Sequence, residues 1–223
     1  MCFSAGASFT AAAVLGSIGI ASLKKVSIRS QFMFAAIPML FAIQQVSEGL
    51  LWLALSKPGY EGWLEPATYF FLLFAQFLWP IWIPTSMFLM EHNKPRKKWL
   101  GVTVVAGIMC SAILLYRLIF LHVHAEVRNH HIYYAIESPQ ILITLSSILY
   151  VIAIIVPVLI LSVKGAKALG FILAISLMCT KMFYEAYLIS VWCFFAATLS
   201  FIILLIMRKI QNEYAESEKN LQH

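Results

Sequence analysis

The sequence predicts an all-α, polytopic membrane protein: a seven-transmembrane-helix bundle with its N-terminus outside and its C-terminus cytoplasmic. Three observations predict it. Of the 223 residues, 61% are hydrophobic and 12% charged, with a mean hydropathy of +0.85, whereas a soluble domain is about 25% charged. Seven apolar runs approach the roughly 20 residues that a helix needs to cross the hydrocarbon. Lysine and arginine gather in alternate linkers, which fixes the expected orientation by the positive-inside rule.

The first run, 3–23, carries small residues at Ser4, Ser8, Ala12 and Gly16. That stripe lets a neighbouring helix approach closely. No basic n-region or A-x-A site precedes a polar mature domain, so no cleavable signal peptide is expected. Lys24, Lys25 and Arg29 form the first, cytoplasmic linker. The second run, 31–55, ends at the turn signal Lys57-Pro58-Gly59. The third, 67–90, contains Pro80 and Pro84, which should kink it.

A second basic linker holds Lys94, Arg96, Lys97 and Lys98, and the fourth run follows at 99–121. The longest linker, 122–138, reads as an outer loop. Ser138 as N-cap with Pro139 at the first helical position opens the fifth run, 139–162, which Pro157 should bend. Lys164 and Lys167 mark the next inner linker; the sixth and seventh runs, 168–187 and 190–207, meet in a tight turn. The alternate linkers contribute only Lys57 and Arg128. Residues 1–209 therefore read as one transmembrane domain of the cell (inner) membrane, and 210–223 as a polar cytoplasmic tail, a frayed helix end or disorder. The net charge of +6 reflects topology and does not argue for nucleic acid; the lipid bilayer is the expected partner.

Function should lie where these spans keep polar groups. An acid near mid-membrane costs roughly 2.5–3.5 kcal/mol on insertion scales. The segment PMLFAIQQVSEGLLW, 38–52, nevertheless carries Gln44, Gln45 and Glu48. Helical spacing puts them on one face with Trp52. The topology brings Gln76, Arg117, Lys181, Tyr184 and Glu185 to the same outer depth. The expectation is one extracytoplasmic pocket, closed below by the segment from Trp79 to Pro84, in which Glu48 and Glu185 balance Arg117 and Lys181. Both signs of charge with several amides suit a small polar or zwitterionic ligand, sensed or transported. Structural ion pairs that tie the helices together are the plainer reading of the same residues.

The opening MCFSAGASF and the segment PMLFAIQQVSEGLLWLAL resemble an uncharacterised family of prokaryotic multi-spanning membrane proteins, which begin MCFSA and carry a Q-x-x-E-G-x-x-W-like second helix. The resemblance implies a membrane bundle of this size and no particular activity. It also implies that Cys2, Ser4, Gln45, Glu48 and Trp52 belong to one site. The last run lacks the lysine that a retinal Schiff base needs, and no His-x3-His pair of the membrane zinc hydrolases occurs in the spans.

Two other chemistries compete. Removal of Met1 would leave the amine and thiol of Cys2 as an N-terminal nucleophile, with Glu48 or Glu185 as acid or base, in a membrane-embedded hydrolase or transferase. Cys2 could instead pack as a small residue or form a disulfide with Cys193. His122, His124, His130 and His131 crowd the outer linker and offer imidazole ligands for a metal or haem. Their spacing matches no specific motif, and no cofactor is named by the sequence.

Overall fold

A computed structural model describes residues 4–221. Among the described residues, seven helices are long and apolar enough to cross a membrane. They are α1 (Ala5–Leu23), α2 (Arg29–Ser56), α3 (Glu61–Met90), α4 (Lys94–Phe120), α5 (Gln140–Ile160), α6 (Ala166–Phe183) and α7 (Glu185–Tyr214). All seven predicted runs are present. Short connections make consecutive helices run up and down. The basic linkers therefore share one end of the bundle, here the basic end.

The fourth linker is not the loop that its length suggested. It folds as an antiparallel hairpin, β1 (Val123–Arg128) and β2 (His131–Ile136), in register Val123↔Ile136 to Arg128↔His131. Asn129 and His130 form its two-residue turn, with φ of 48° and 61°. Positive φ at both positions is the turn that matches strand twist, and asparagine tolerates it. Ala125, Ile132 and Tyr134 face inward and pack with Leu51, Trp52, Phe71, Leu72 and Leu118. The hairpin thus roofs the end opposite the basic one.

Helix α3 is the irregular element, and its prolines explain it. Residues Leu73–Leu78 widen to a π-helix, in which Trp79 N donates to Phe74 O. The next donor in that register would be residue 80, a proline without N–H. Ala75 O is taken instead by the Tyr150 hydroxyl of α5 at 2.8 Å. Phe77 O accepts from Ser111 of α4, also at 2.8 Å. In hydrocarbon a freed carbonyl needs such a neighbour. Pro84 likewise removes the helical donor to Pro80 O. A Cβ on Gly107 would lie 1.9 Å from that oxygen, so α4 approaches here only because residue 107 is glycine.

The small-residue face of α1 buries Ser8, Ala12, Gly19 and Ser22 against α2. Gly19, rather than the expected Gly16, sits at the closest approach: its Cβ would lie 2.7 Å from Met39 N. Helix α5 breaks at Ile155 ahead of Pro157. Pro139, not Ser138, occupies its N-cap position. The last helix continues from Phe201 to Leu221, so the polar tail is helical as far as Leu221.

Candidate functional site

Of the seven spans, α2 is the most enclosed. Its amphipathic logic is inverted, because the polar face points into the bundle. Gln44, Gln45 and Glu48 are each 0% exposed, and Trp52 is 5% exposed. The face predicted from the i, i+4, i+8 spacing is therefore real and fully covered by protein.

The contacts of this face join three helices. Glu48 Oε1 accepts from the Ser190 hydroxyl of α7 at 2.6 Å. Glu48 Oε2 accepts from Gln45 Nε2 at 3.0 Å. Trp79 Nε1 of α3 donates to Gln44 Oε1 at 2.8 Å, which turns the Gln44 amino group toward Cys193 Sγ of α7 at 3.6 Å. An indole N–H only donates, so it fixes which way the Gln44 amide points. The Trp79 ring stacks on Phe41 with centroids 4.0 Å apart. Trp79 thus packs beneath Gln44.

Several buried polar atoms at this end have no such match, three of them on α2 and α3. Gln45 Oε1, Gln76 Oε1 and Trp52 Nε1 are buried without a hydrogen-bond partner. A buried polar atom left unpaired costs about 1–3 kcal/mol. Two of these atoms share α2 with Glu48, and Gln76 Oε1 lies on the neighbouring α3.

The remaining predicted residues do not all converge. Arg117 is buried, but its Nη1 donates to Ser146 of α5 at 3.2 Å, so it serves the α4–α5 seam rather than Glu48. Lys181, Tyr184 and Glu185 are exposed. The reason is a break at Tyr184, with φ −137° and ψ 35°, which ends α6 and voids the i, i+4 phase between Lys181 and Glu185. Tyr184 instead meets the hairpin, edge-on to His131 with centroids 5.4 Å apart. The charge balance expected across one pocket is not what the helices build. Cys2 lies outside the described residues. Cys193 is a buried free thiol.

The hairpin register also separates the histidines. His124 pairs with Ala135 and His131 with Arg128, so their positions lie four residues apart along the ladder, about 13 Å at strand rise. Among the described residues, no three of His, Cys, Asp and Glu group so as to hold a metal ion. His131 is buried and stacked on Tyr187 at 4.7 Å. Burial pushes its pKa below the ordinary histidine value, with the charge of His130 acting the same way. It secures the roof to the α6–α7 turn, and Asn129 Nδ2 reinforces this by donating to the Tyr187 hydroxyl at 3.1 Å.

Below the Gln44 bridge a narrow apolar cleft of about 50 Å³ is lined by Trp79, Cys193, Tyr150 and Trp192. That is far smaller than a ligand pocket of about 300 Å³ or more. Ser190 was not singled out in the sequence. Its signal was a lone serine in the first turn of the last helix, where the chain re-enters the bundle.

Residues 1–218 match a family of unknown function (DUF6629). No curated protein and no solved structure matches the chain.

Proposed function

The chain belongs to this family of unknown function, and we propose that it is a multi-pass protein of the cell membrane that binds a small polar or zwitterionic solute at the Glu48 centre, as a sensor or carrier. The observation that carries the reading is a wholly enclosed carboxylate on a helix that, with its neighbour α3, keeps buried polar atoms unmatched: Gln45 Oε1, Trp52 Nε1 and Gln76 Oε1. A solute with both donors and acceptors would complete them, and its cationic group would sit against Glu48. The basic linkers support a cytoplasmic basic end, which turns the hairpin and the Glu48 centre toward the outside. On this reading the hairpin is the cover that a solute from outside must pass.

The test is thermal unfolding of the purified protein in detergent across a library of amino acids and amines, for wild type and Glu48→Gln. A ligand that binds only the folded state raises the melting temperature by mass action. The expected result is at least one compound that stabilises wild type and leaves the variant unmoved. No stabilisation by any compound, or an equal shift in both proteins, would reject the proposal. Consumption of a stabilising compound would move the reading to the membrane-embedded hydrolase or transferase.

A further inference from the structure

At the basic end the turns line a second, half-open cavity, of about 280 Å³, near the lower bound for small-ligand pockets. It lies between the α1–α2 linker, the start of the α3–α4 linker, the α5–α6 turn and the distal part of α7. Two of its walls are held by side chains that bond backbone. Gln31 Oε1 accepts from Ser27 N at 2.8 Å and Ile28 N at 3.4 Å, which fixes the α1–α2 linker. Glu91 accepts from Asn93 N, Ser162 N and the Ser162 hydroxyl, each at 2.8 Å, which ties the α3–α4 linker to the α5–α6 turn. The cavity is therefore preformed rather than a gap between loose loops.

Its chemistry favours an anion. Lys164, Lys209 and His92 line it against the single carboxylate Glu213. Glu213 is paired with Lys164 at 3.3 Å. Lys209 has no ion-pair partner among the described residues, so one formal positive charge is left over inside the rim. Ser30 also lines the cavity, and its buried hydroxyl has no hydrogen-bond partner. The surrounding linkers add Lys24, Lys25, Arg29, Lys94, Arg96, Lys97 and Lys98 to the local field. Glu91 keeps a negative charge beside the cavity, behind Ser162, and the lysines and arginines of the surrounding linkers outnumber it.

We propose that this cavity binds a phosphate-bearing anion, with Lys209 and Lys164 as charge partners and Ser30 as a hydroxyl donor. The cavity lies where the apolar helices end. That is the depth of headgroups if they cross a bilayer, and basic pockets between helices at that level hold anionic phospholipids. A soluble phosphate compound has the same recognition chemistry, and the experiment separates the two.

The protein is reconstituted in nanodiscs of phosphatidylcholine doped with phosphatidylglycerol, released, and examined by native mass spectrometry for retained lipid. Wild type is expected to retain phosphatidylglycerol selectively. The double variant Lys164→Gln/Lys209→Gln should retain roughly ten- to thirtyfold less, taking about 1 kcal/mol per lysine near an anionic surface. The control Lys97→Gln/Lys98→Gln removes the same charge at the same end but off the cavity, and should change retention less than about twofold. In a parallel arm, inorganic phosphate is titrated into protein held in phosphatidylcholine alone, with melting temperature as the readout. A rise in wild type that the cavity variant lacks, without selective lipid retention, assigns the site to a soluble phosphate. Equal loss of retention in both double variants would show a diffuse field and overturn the proposal. So would the absence of both selective retention and a phosphate shift. Melting of each variant in phosphatidylcholine without phosphate shows that the fold is intact.

Discussion

Among the described residues two glutamates lie wholly inside the protein, Glu48 in the half under the hairpin and Glu91 at the basic end, each 0% exposed. They are held in opposite ways. Glu91 takes two backbone N–H groups and one hydroxyl, all at 2.8 Å, from two linkers that it joins. Glu48 takes its bonds at 2.6 and 3.0 Å from the side chains of Ser190 and Gln45. Backbone donors are fixed by the fold, whereas side-chain donors can rotate away. On the helix of Glu48 and on its neighbour α3, moreover, Gln45 Oε1, Trp52 Nε1 and Gln76 Oε1 have no partner, whereas both oxygens of Glu91 accept from fixed donors. The first arrangement is a clamp. The second draws at least two of its bonds from side chains, and the binding site is proposed there.

The largest effect should come from the clamp. Glu91→Ala leaves two linker N–H groups without an acceptor and breaks charge-assisted bonds, a loss of about 3–5 kcal/mol by analogy with broken buried ion contacts. Glu48→Gln keeps an acceptor for Ser190 and should lose only about 1 kcal/mol while abolishing the ligand response. Chemical or thermal unfolding in detergent measures both. A loss for Glu48→Gln as large as that for Glu91→Ala would make Glu48 a structural tie as well and break the contrast.

The serines sharpen it at an intermediate scale. Ser190→Ala removes a hydroxyl bonded to a carboxylate in a fully enclosed setting, and should lower stability by about 2 kcal/mol. Ser162→Ala removes one donor from Glu91 but keeps the Ser162 N–H bond to Oε2. Its exposed position lets water replace the hydroxyl, so a loss below about 1 kcal/mol is expected. Unfolding of the two variants side by side gives the ranking. The reverse order would mean that the Glu48 centre draws little from Ser190.

How much of this contrast the sequence could carry depends on where each partner lies. Gln44, Gln45, Glu48 and Trp52 were legible because one helix spaces them, and helical phase is local. The seven spans were legible for the same reason, since hydropathy and length need no partner. Lys181 and Glu185 misled because the phase argument assumed an unbroken helix, and Tyr184 breaks it. The hairpin was hidden by its turn: Asn129-His130 lacks the usual glycine, and the alternating pattern of HVHAEVR reads as polar loop. Arg117 shared the depth of Glu48 but faced a different seam, which depth alone does not resolve. Glu91 was passed over because it stands next to a basic run that topology already explained. Its partner, Ser162, is 71 residues away.

The smallest effect expected is on pH, and it belongs to Glu91 alone. Burial by itself would raise the pKa of this carboxyl. The hydrogen bonds from Asn93, Ser162 and His92 more than offset it, and the pKa is lowered below 4.5. A carboxyl whose folded pKa is depressed binds its proton more readily in the unfolded state. Its contribution is therefore fully present above pH 4.5. It fades as pH falls from that value through the lower folded pKa. The melting temperature of wild type should drop across this acid window. In Glu91→Gln that part of the drop should be missing, because the amide does not titrate, and the two curves should approach each other at the acid end. Parallel curves for the two proteins would mean that Glu91 is not held as its ionised form, and the clamp would lose the charge that separates it from the Glu48 centre.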